Sequence, residues 1–555
     1  MQKVIETNRE TILAAAKDNN FWGKRLRERK LGLCDAIVKS CGLTQSQLES
    51  GILCDWLEAN KPQPKAKPKV TAANKPDANT MTGESKQKLA LMPTVEGQKF
   101  IVTTAQNNTN VSPVFEQLKT LANEIDATLV VLPVFYNKNA FSSAVESEDE
   151  FFAQEVRPYL IENDSWLGEE MAVRVMPSAA VNPTAKYPIN KGRDLMAGEL
   201  VNIIPATKQQ MLTKPRMPSQ PISEAWATGC CTVYNYTRSG AGSEAEKNHV
   251  FGGLFVEVFD GQVNVTNLRQ ADDGSLMLLD SHEFGFDVYS YGTDKAYRPA
   301  VVLGDLHCEM QDKEAYAKTL NWLHTLKPSL VAVHDILHFE TRSHHNRKSG
   351  KHLYKMQVLG QTVHNDLIKV IEQLNQIAET TDTVYIVESN HNSALDNWLD
   401  DSAYSPKNDP INAKLYYLLN YAMCEALEQG HDKTALELAF TEVLERANLP
   451  QLADNIEFGS MGVSKVVNGY DLSQHGHKGQ NGSNGNTTLF SKWNVKMVSG
   501  HTHSPMIVGD VYTVGVMAKL NQGYNVGGAS SWNHANVVIH PNNTCQLVRV
   551  FNLTK

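Results

Sequence analysis

Between residues 299 and 503, five short apolar runs each end on a side chain able to bind a metal. PAVVLGD leads into Asp305 and His307, SLVAVHD into Asp335, and DTVYIVESN into Asn390 with His391 beside it. YDLSQHG reaches His475, and VKMVSGH reaches His501, with His503 two residues on. Runs of this length read as buried strands, and helical stretches at 312–326, 353–379 and 411–429 separate several of them. Strands alternating with helices imply an α/β sheet, whose ligands gather outside the strand C-terminal ends. One lone histidine after a strand is usually structural; five strands ending this way are not a coincidence.

The histidine distribution agrees. Only His249 and His282 precede residue 300, and the other sixteen follow it. Asp and Asn oxygens combined with neutral imidazoles suit Mn²⁺, Fe or Zn²⁺ better than Ca²⁺, which prefers oxygen alone. Seven such ligands are too many for one catalytic ion with an open position, and enough for two ions sharing a carboxylate.

The ordered set D-x-H, D, N-H, H and G-H-x-H resembles the calcineurin-like metallophosphoesterase superfamily over residues 299–510. The resemblance implies a sandwich of two sheets flanked by helices and a two-metal hydrolytic site. It assigns Asp305, His307 and His503 to the first metal and Asn390, His475 and His501 to the second, with Asp335 between them. His391 would face the phosphate and protonate the leaving oxygen or stabilise transition-state charge. Three departures stand out. His334 replaces the glycine before Asp335; SNHN lacks the carboxylate that usually follows the motif histidine, leaving Asn392 or Asp396 to replace it; and HGH offers His475 or His477, with His475 first off the strand.

The substrate is a separate question, since one fold serves many chemistries. The segment HFETRSHHNRKSGKHLYK carries Arg342, His344, His345, Arg347, Lys348 and Lys351 against one acid, Glu340. A basic loop beside a two-metal site is placed to hold flanking phosphates. The glycine-rich stretch 477–486 is a second loop near the metals. Within the superfamily the chain is similar to the double-strand-break-repair nuclease branch, and more narrowly to tailed-phage pre-early proteins implicated in degrading host DNA. That similarity rests on length, on VVLGDLHCEM and VESNHNSALDNWL, and on an N-terminal extension. It implies two Mn²⁺ ions (or Mg²⁺), double-stranded DNA as partner, the host cytoplasm as location and at least a dimer. The alternatives are a nucleotidase or phosphoprotein phosphatase with the same metals, or a DNA-binding scaffold with a vestigial site.

Composition sets limits. With 555 residues, 41% hydrophobic and 20% charged, the chain is an ordinary globular sequence of several domains. No apolar run is long enough to span a membrane, and no signal peptide is evident. Eight cysteines without a CxxC pair make neither a zinc ribbon nor a compact disulfide framework. A net charge of -9 excludes a uniformly basic coat, so any nucleic-acid surface must be local.

Four segments are expected. Residues 1–59 are helical, with a possible helix-turn-helix around Gly42 and Thr44 preceded by the basic run Lys24 to Lys30. Residues 60–98 are a linker, whose 60–88 stretch holds seven lysines and four prolines against Asp77 and Glu84. Residues 99–295 read as an accessory α/β domain with a hairpin turning at Asp260-Gly261, and 296–555 as the catalytic domain.

Overall fold

The computed structural model describes residues 92–136, 151–161, 164–177, 181–192, 201–282, 285–342, 349–460, 462–523 and 525–554, with short helical stretches before residue 60. The chain divides into two compact units, Met1–Thr82 and Gly83–Lys555. In the first, helices Arg9–Asp18 and Ser50–Ala59 contribute to a small core of Ile5, Ile12, Ala16, Ile37, Leu53 and Leu57. Gly42, Thr44, Lys24 to Lys30 and the lysine-rich stretch 60–88 lie outside the described residues.

The second unit is mixed α/β, with sheets of eleven, six, five and two strands among the described residues. In the six-stranded sheet, Ile456–Phe458, Val384–Ile386, Leu330–Val333 and Ala300–Val302 run parallel in that order. Ala535–Ile539 then pairs antiparallel with Ala300–Val302, and Cys545–Arg549 closes the edge. The three inner parallel strands are three or four residues long and apolar, because both faces are covered, whereas the edge strand Ile456–Phe458 carries exposed Glu457. One face packs helices Lys313–Leu326, Val363–Ala378 and Pro410–Glu428 through Val301, Val331, Leu323, Leu367, Val370 and Leu419. The other meets the eleven-stranded sheet through Ala300, Val302, Ala332 and Tyr385 on one side and Trp226, Val498 and Tyr512 on the other.

Here the expected boundary at residue 295 needs correcting. Thr94–Val95, the strands of 165–228 and those of 466–513 belong to the same eleven-stranded sheet, joined where Gln209–Lys214 pairs with Met506–Val508. The expected accessory and catalytic domains therefore form one compact unit. Local expectations within 99–295 hold: strands Lys99–Gln106 and Thr128–Val134 flank helix Val114–Glu124. The hairpin Gly252–Phe259 to Gln262–Arg269 turns at Asp260 (φ 51°) and Gly261 (φ 72°), a two-residue turn that needs positive φ at both positions. The helical stretch expected at 353–379 is two helices, Gly350–Val358 and Val363–Ala378; Gly360 sits at φ 63° and Thr362 caps the second by accepting the Asn365 amide.

Candidate metal centre

Every expected ligand follows a strand. Asp305 and His307 come after Ala300–Val302, Asp335 after Leu330–Val333, and Asn390 after Val384–Ile386, all in the six-stranded sheet. His475 follows Tyr470–Asp471, and His501 and His503 follow Met497–Ser499, in the eleven-stranded sheet. The ends of two facing sheets thus supply one cluster. Past the strands, the loops still pair: Leu306, His307 and Cys308 donate their amides to the carbonyls of His334, Asp335 and Ile336. Gly500 lets the third loop approach, since a Cβ there would stand 2.2 Å from Asp305 Oδ1.

Among the described residues the side chains converge in four groups able to hold an ion, two of which contain Asp335, the others being His307 with His338 and His391, and Asp305 with His334 and His475. Asp305, His307, Asp335 and His503 each bring an atom within 4.8 Å of the others, and so do Asp335, His475 and His501. His307 Nε2 is 3.0 Å from His503 Nε2, which is 3.2 Å from Asp305 Oδ2. His475 Nε2 is 3.1 Å from Asp335 Oδ2. Asp305 and His307 are 0% exposed and Asp335 1%; Asp305 Oδ2 accepts the His501 amide at 2.8 Å, and the remaining ligand atoms face chiefly one another. Asp305 Oδ1 and Asn390 Oδ1 are buried with no hydrogen bond among the described residues.

Backbone strain accompanies the cluster. His307 (φ 41°), Asp335 (φ 40°), His501 (φ 75°) and His503 (φ 57°) all occupy the left-handed region, which costs a non-glycine residue about 1–3 kcal/mol and persists only when its surroundings demand it.

The charge state suits cations. Burial pushes the carboxyls of Asp305 and Asp335 up, but the facing imidazoles, His475 foremost, outweigh it and hold both down, Asp335 well below the usual range. Burial, then His391 and His503, drives His307 well below its ordinary value, and burial, then His475, lowers His501. His475 alone moves up: burial opposes protonation, but Asp335 and Asp305 outweigh it. Ionised carboxylates beside neutral imidazoles are the form in which ligands accept a divalent ion; Asp305, Asp335, His307 and His501 are shifted toward it, whereas His475 has to release a proton to bind one. The mixed oxygen–nitrogen groups that contain Asp335 fit a divalent ion, and Asn390 keeps a buried, unbonded oxygen in the loop after Val384–Ile386.

Around these ligands lies a further ring of histidines. His475 Nδ1 is 3.4 Å from His334 Nδ1, and His307 Nδ1 is 3.4 Å from His338 Nδ1. Burial holds His334 down to about 4 and His338 to about 3. Neutral acceptors in this position orient a ligand ring and fix its tautomer. His334 was visible in sequence only as a departure from the glycine; His338 carried no signal beyond lying three residues after Asp335.

His391 is fixed differently from expectation. Its Nδ1 lies 3.2 Å from the backbone oxygen of His338, and its amide donates to Asp335 Oδ1 at 3.2 Å. Neither proposed replacement for the motif carboxylate holds it. Asn392 Oδ1 accepts the Leu337 amide at 3.4 Å, and Asp396 Oδ1 accepts the Ala435 amide at 2.7 Å. Of the two histidines in HGH, His475 faces Asp335, while His477 joins neither ligand group and its Nδ1 is buried without a partner among the described residues.

The basic loop is only partly described. Arg342 is a correction: its Nε donates to Asp409 Oδ2 at 2.9 Å within a largely buried ion pair, so its guanidinium is committed to Asp409. Lys351 is exposed on helix Gly350–Val358, and His344, His345, Arg347 and Lys348 lie outside the described residues. The stretch 477–486 is a folded turn closed by Gly479 donating to Ser483 at 2.6 Å, ending where Asn486 caps a short helix. No described helix is long and apolar enough to cross a membrane.

No family model matches the chain. It is 34% identical over 559 residues to protein A1 of Escherichia phage T5, covering 98% of each chain. Among solved structures, Chaetomium thermophilum Vps29 complexed with the RaPID-derived cyclic peptide RT-D3 overlaps 35% of this chain and 94% of its own, at 9% identity and TM-score 0.18. Vps29 of the same organism without that peptide overlaps 36% and 97%, with the same identity and TM-score. Overlaps this loose carry no weight for the fold.

Proposed function

This chain belongs to the family of protein A1 of Escherichia phage T5, and on that premise we propose that it is a metal-dependent deoxyribonuclease acting on host DNA during infection. The observation that carries the reading is the pair of ligand groups sharing Asp335. Asp305, His307, His503 and Asp335 would hold one cation, and Asn390, His475, His501 and Asp335 the other. Mn²⁺, or Mg²⁺ in its place, supplies charge neutralisation at the phosphate and activation of water when bound there.

The chain's own groups do the rest. Asp335 ties the two halves of the site, and its carboxylate also fixes the His391 amide. A carbonyl oxygen can only accept, so the 3.2 Å contact with His338 puts a hydrogen on His391 Nδ1. Nε2 is then the atom left to serve the leaving oxygen of the cleaved phosphodiester, protonating it when the ring carries a second hydrogen there and leaving the ring neutral with its hydrogen on Nδ1. The buried ligand shell keeps competing water from these groups.

DNA is favoured over a small phosphate ester by the density of Arg and Lys in residues 347–355 and of Lys in 60–88. The test is Mn²⁺-dependent digestion of linear against closed circular DNA, with phosphate release from mononucleotides run in parallel. DNA cleavage is expected, and His391→Ala should keep the metals while losing about 10²–10⁴-fold in turnover. Phosphate release from mononucleotides without DNA cleavage would make the chain a nucleotidase instead.

A further inference from the structure

His338 touches the site in three ways at once. Its ring faces the Nδ1 of His307 at 3.4 Å and stacks on the His391 ring at 5.6 Å, 17° from parallel. Its carbonyl receives His391 Nδ1, and its amide is held at 2.8 Å by Oε2 of Glu309. The other oxygen of Glu309 holds the next amide, Phe339, at 2.9 Å. Phe339 sits at φ 58° and is fully buried, a conformation a bulky residue keeps only when its neighbours enforce it. A carboxyl group whose two oxygens accept from successive amides is such an enforcement. Glu309 itself comes two residues after His307 on the short 3-10 turn Cys308–Met310, so the clamp and a metal-ligand loop are one piece of chain.

We propose that Glu309 is a positioning residue that, through the His338–Phe339 backbone, sets the orientation and tautomer of His391, in place of the carboxylate missing after the NH motif. The proposal rests on the reading of His391 as the group that serves the leaving oxygen. Without the clamp, the 338–339 peptides can relax out of the strained turn, and the carbonyl that fixes His391 Nδ1 moves with them. The metal ligands are anchored by their own strands, and His307, whose ring also meets His338, is further held by its amide on the Asp335 carbonyl at 2.8 Å, so the main effect falls on His391.

Glu309→Gln is the sharpest probe, because it keeps size and one acceptor but sets an NH₂ against one of the two amides. In the full chain loaded with Mn²⁺, Glu309→Gln should lower kcat on linear DNA by about tenfold to a hundredfold, with KM and metal content unchanged. In a His391→Ala background the same substitution should cost nothing further. An equal loss in both backgrounds, a loss of metal, or no loss in either overturns the proposal. A second readout does not depend on the substrate: ¹⁵N-labelled histidine spectra, with His391 assigned by its alanine variant, should show a hydrogen held on Nδ1 that Glu309→Gln releases. An unchanged His391 resonance overturns the clamp even if the protein cleaves DNA. Wild-type protein that cleaves no DNA, but whose His391 resonance does respond, leaves the clamp standing and sinks the nuclease reading.

Discussion

The two ends of the six-stranded sheet bury the same kinds of groups and treat them in opposite ways. At one end His540 follows Ala535–Ile539 and is 1% exposed, as deep as any ligand of the cluster. Its Nδ1 meets the Tyr297 hydroxyl at 3.0 Å and its Nε2 meets Gln546 Oε1 at 3.2 Å, so each nitrogen has its own neutral partner. Because Ala535–Ile539 runs antiparallel to Ala300–Val302, this is the end where the parallel strands begin. At the end where they finish, Asp305, His307 and Asp335 are as deep, but their atoms point at one another; His307 and Asp335 are held at positive φ, and Asp305 Oδ1 and Asn390 Oδ1 stay without hydrogen bonds among the described residues. Burial of a histidine therefore carries no functional message. Convergence of unpaired acceptors does, because folding alone would pair them.

The largest break of that comparison comes from Asp335, the residue both ligand groups share. Asp335→Ala should remove both cations and reduce DNA cleavage to background, with elemental analysis and a digestion assay on the same preparation. Retained stoichiometric Mn²⁺ with lost cleavage would leave Asp335 a catalytic residue only. A smaller effect sharpens the contrast through stability. Ligands that cluster at a cost without a cation should make Mn²⁺ a strong stabiliser, by about 4 kcal/mol at a thousandfold excess over Kd. Thermal unfolding with and without Mn²⁺ reads this directly. Asp335→Ala should abolish the gain and His540→Phe should leave it intact, and a wild-type melting curve indifferent to Mn²⁺ would count against the cluster as a cation site.

Much of this contrast was legible before any coordinates. Apolar runs announce where a strand stops and which residue comes next, and all five ligand-bearing strands lie where those runs are. Periodicity says nothing about which strand ends face one another. The joining of the strands of 165–228 to those of 466–513 in a single sheet therefore stayed hidden, and with it the unity of two expected domains. Outer partners were hidden for the same reason. Asn392 and Asp396 were the plausible supports for His391 by proximity in sequence, yet each serves a distant amide, Leu337 and Ala435. The support comes instead from the His338 backbone, whose carbonyl is invisible in the residue type. Arg342 erred the other way: an arginine in a basic run reads as a free cation, and only the fold brings Asp409 against it.

The smallest expected effect isolates the paired end of the sheet. Burial lowers the His540 ring from 6.5 to about 4, against the pull of its bond to Gln546. The folded protein thus binds this proton more weakly than the unfolded chain does. A lowered folded value means that the stability linked to His540 is complete above about 6.5 and is lost as the pH falls through about 4. The loss should be on the order of 3 kcal/mol across that window. His540→Phe should cost about 1–3 kcal/mol at neutral pH, since Gln546 and Tyr297 lose a buried partner. It should also be free of this acid-linked loss, so the gap between the two proteins narrows on acidification. Other histidines titrate in the same range, but they are common to both proteins and cancel in the difference. Denaturant unfolding of both at pH 7 and pH 4.5 measures it, with cleavage per folded molecule unchanged by the substitution at neutral pH. A gap of constant size would mean that His540 carries its proton in the fold, and a loss of cleavage would mean that the two ends of the sheet are not as separate as their hydrogen bonds make them.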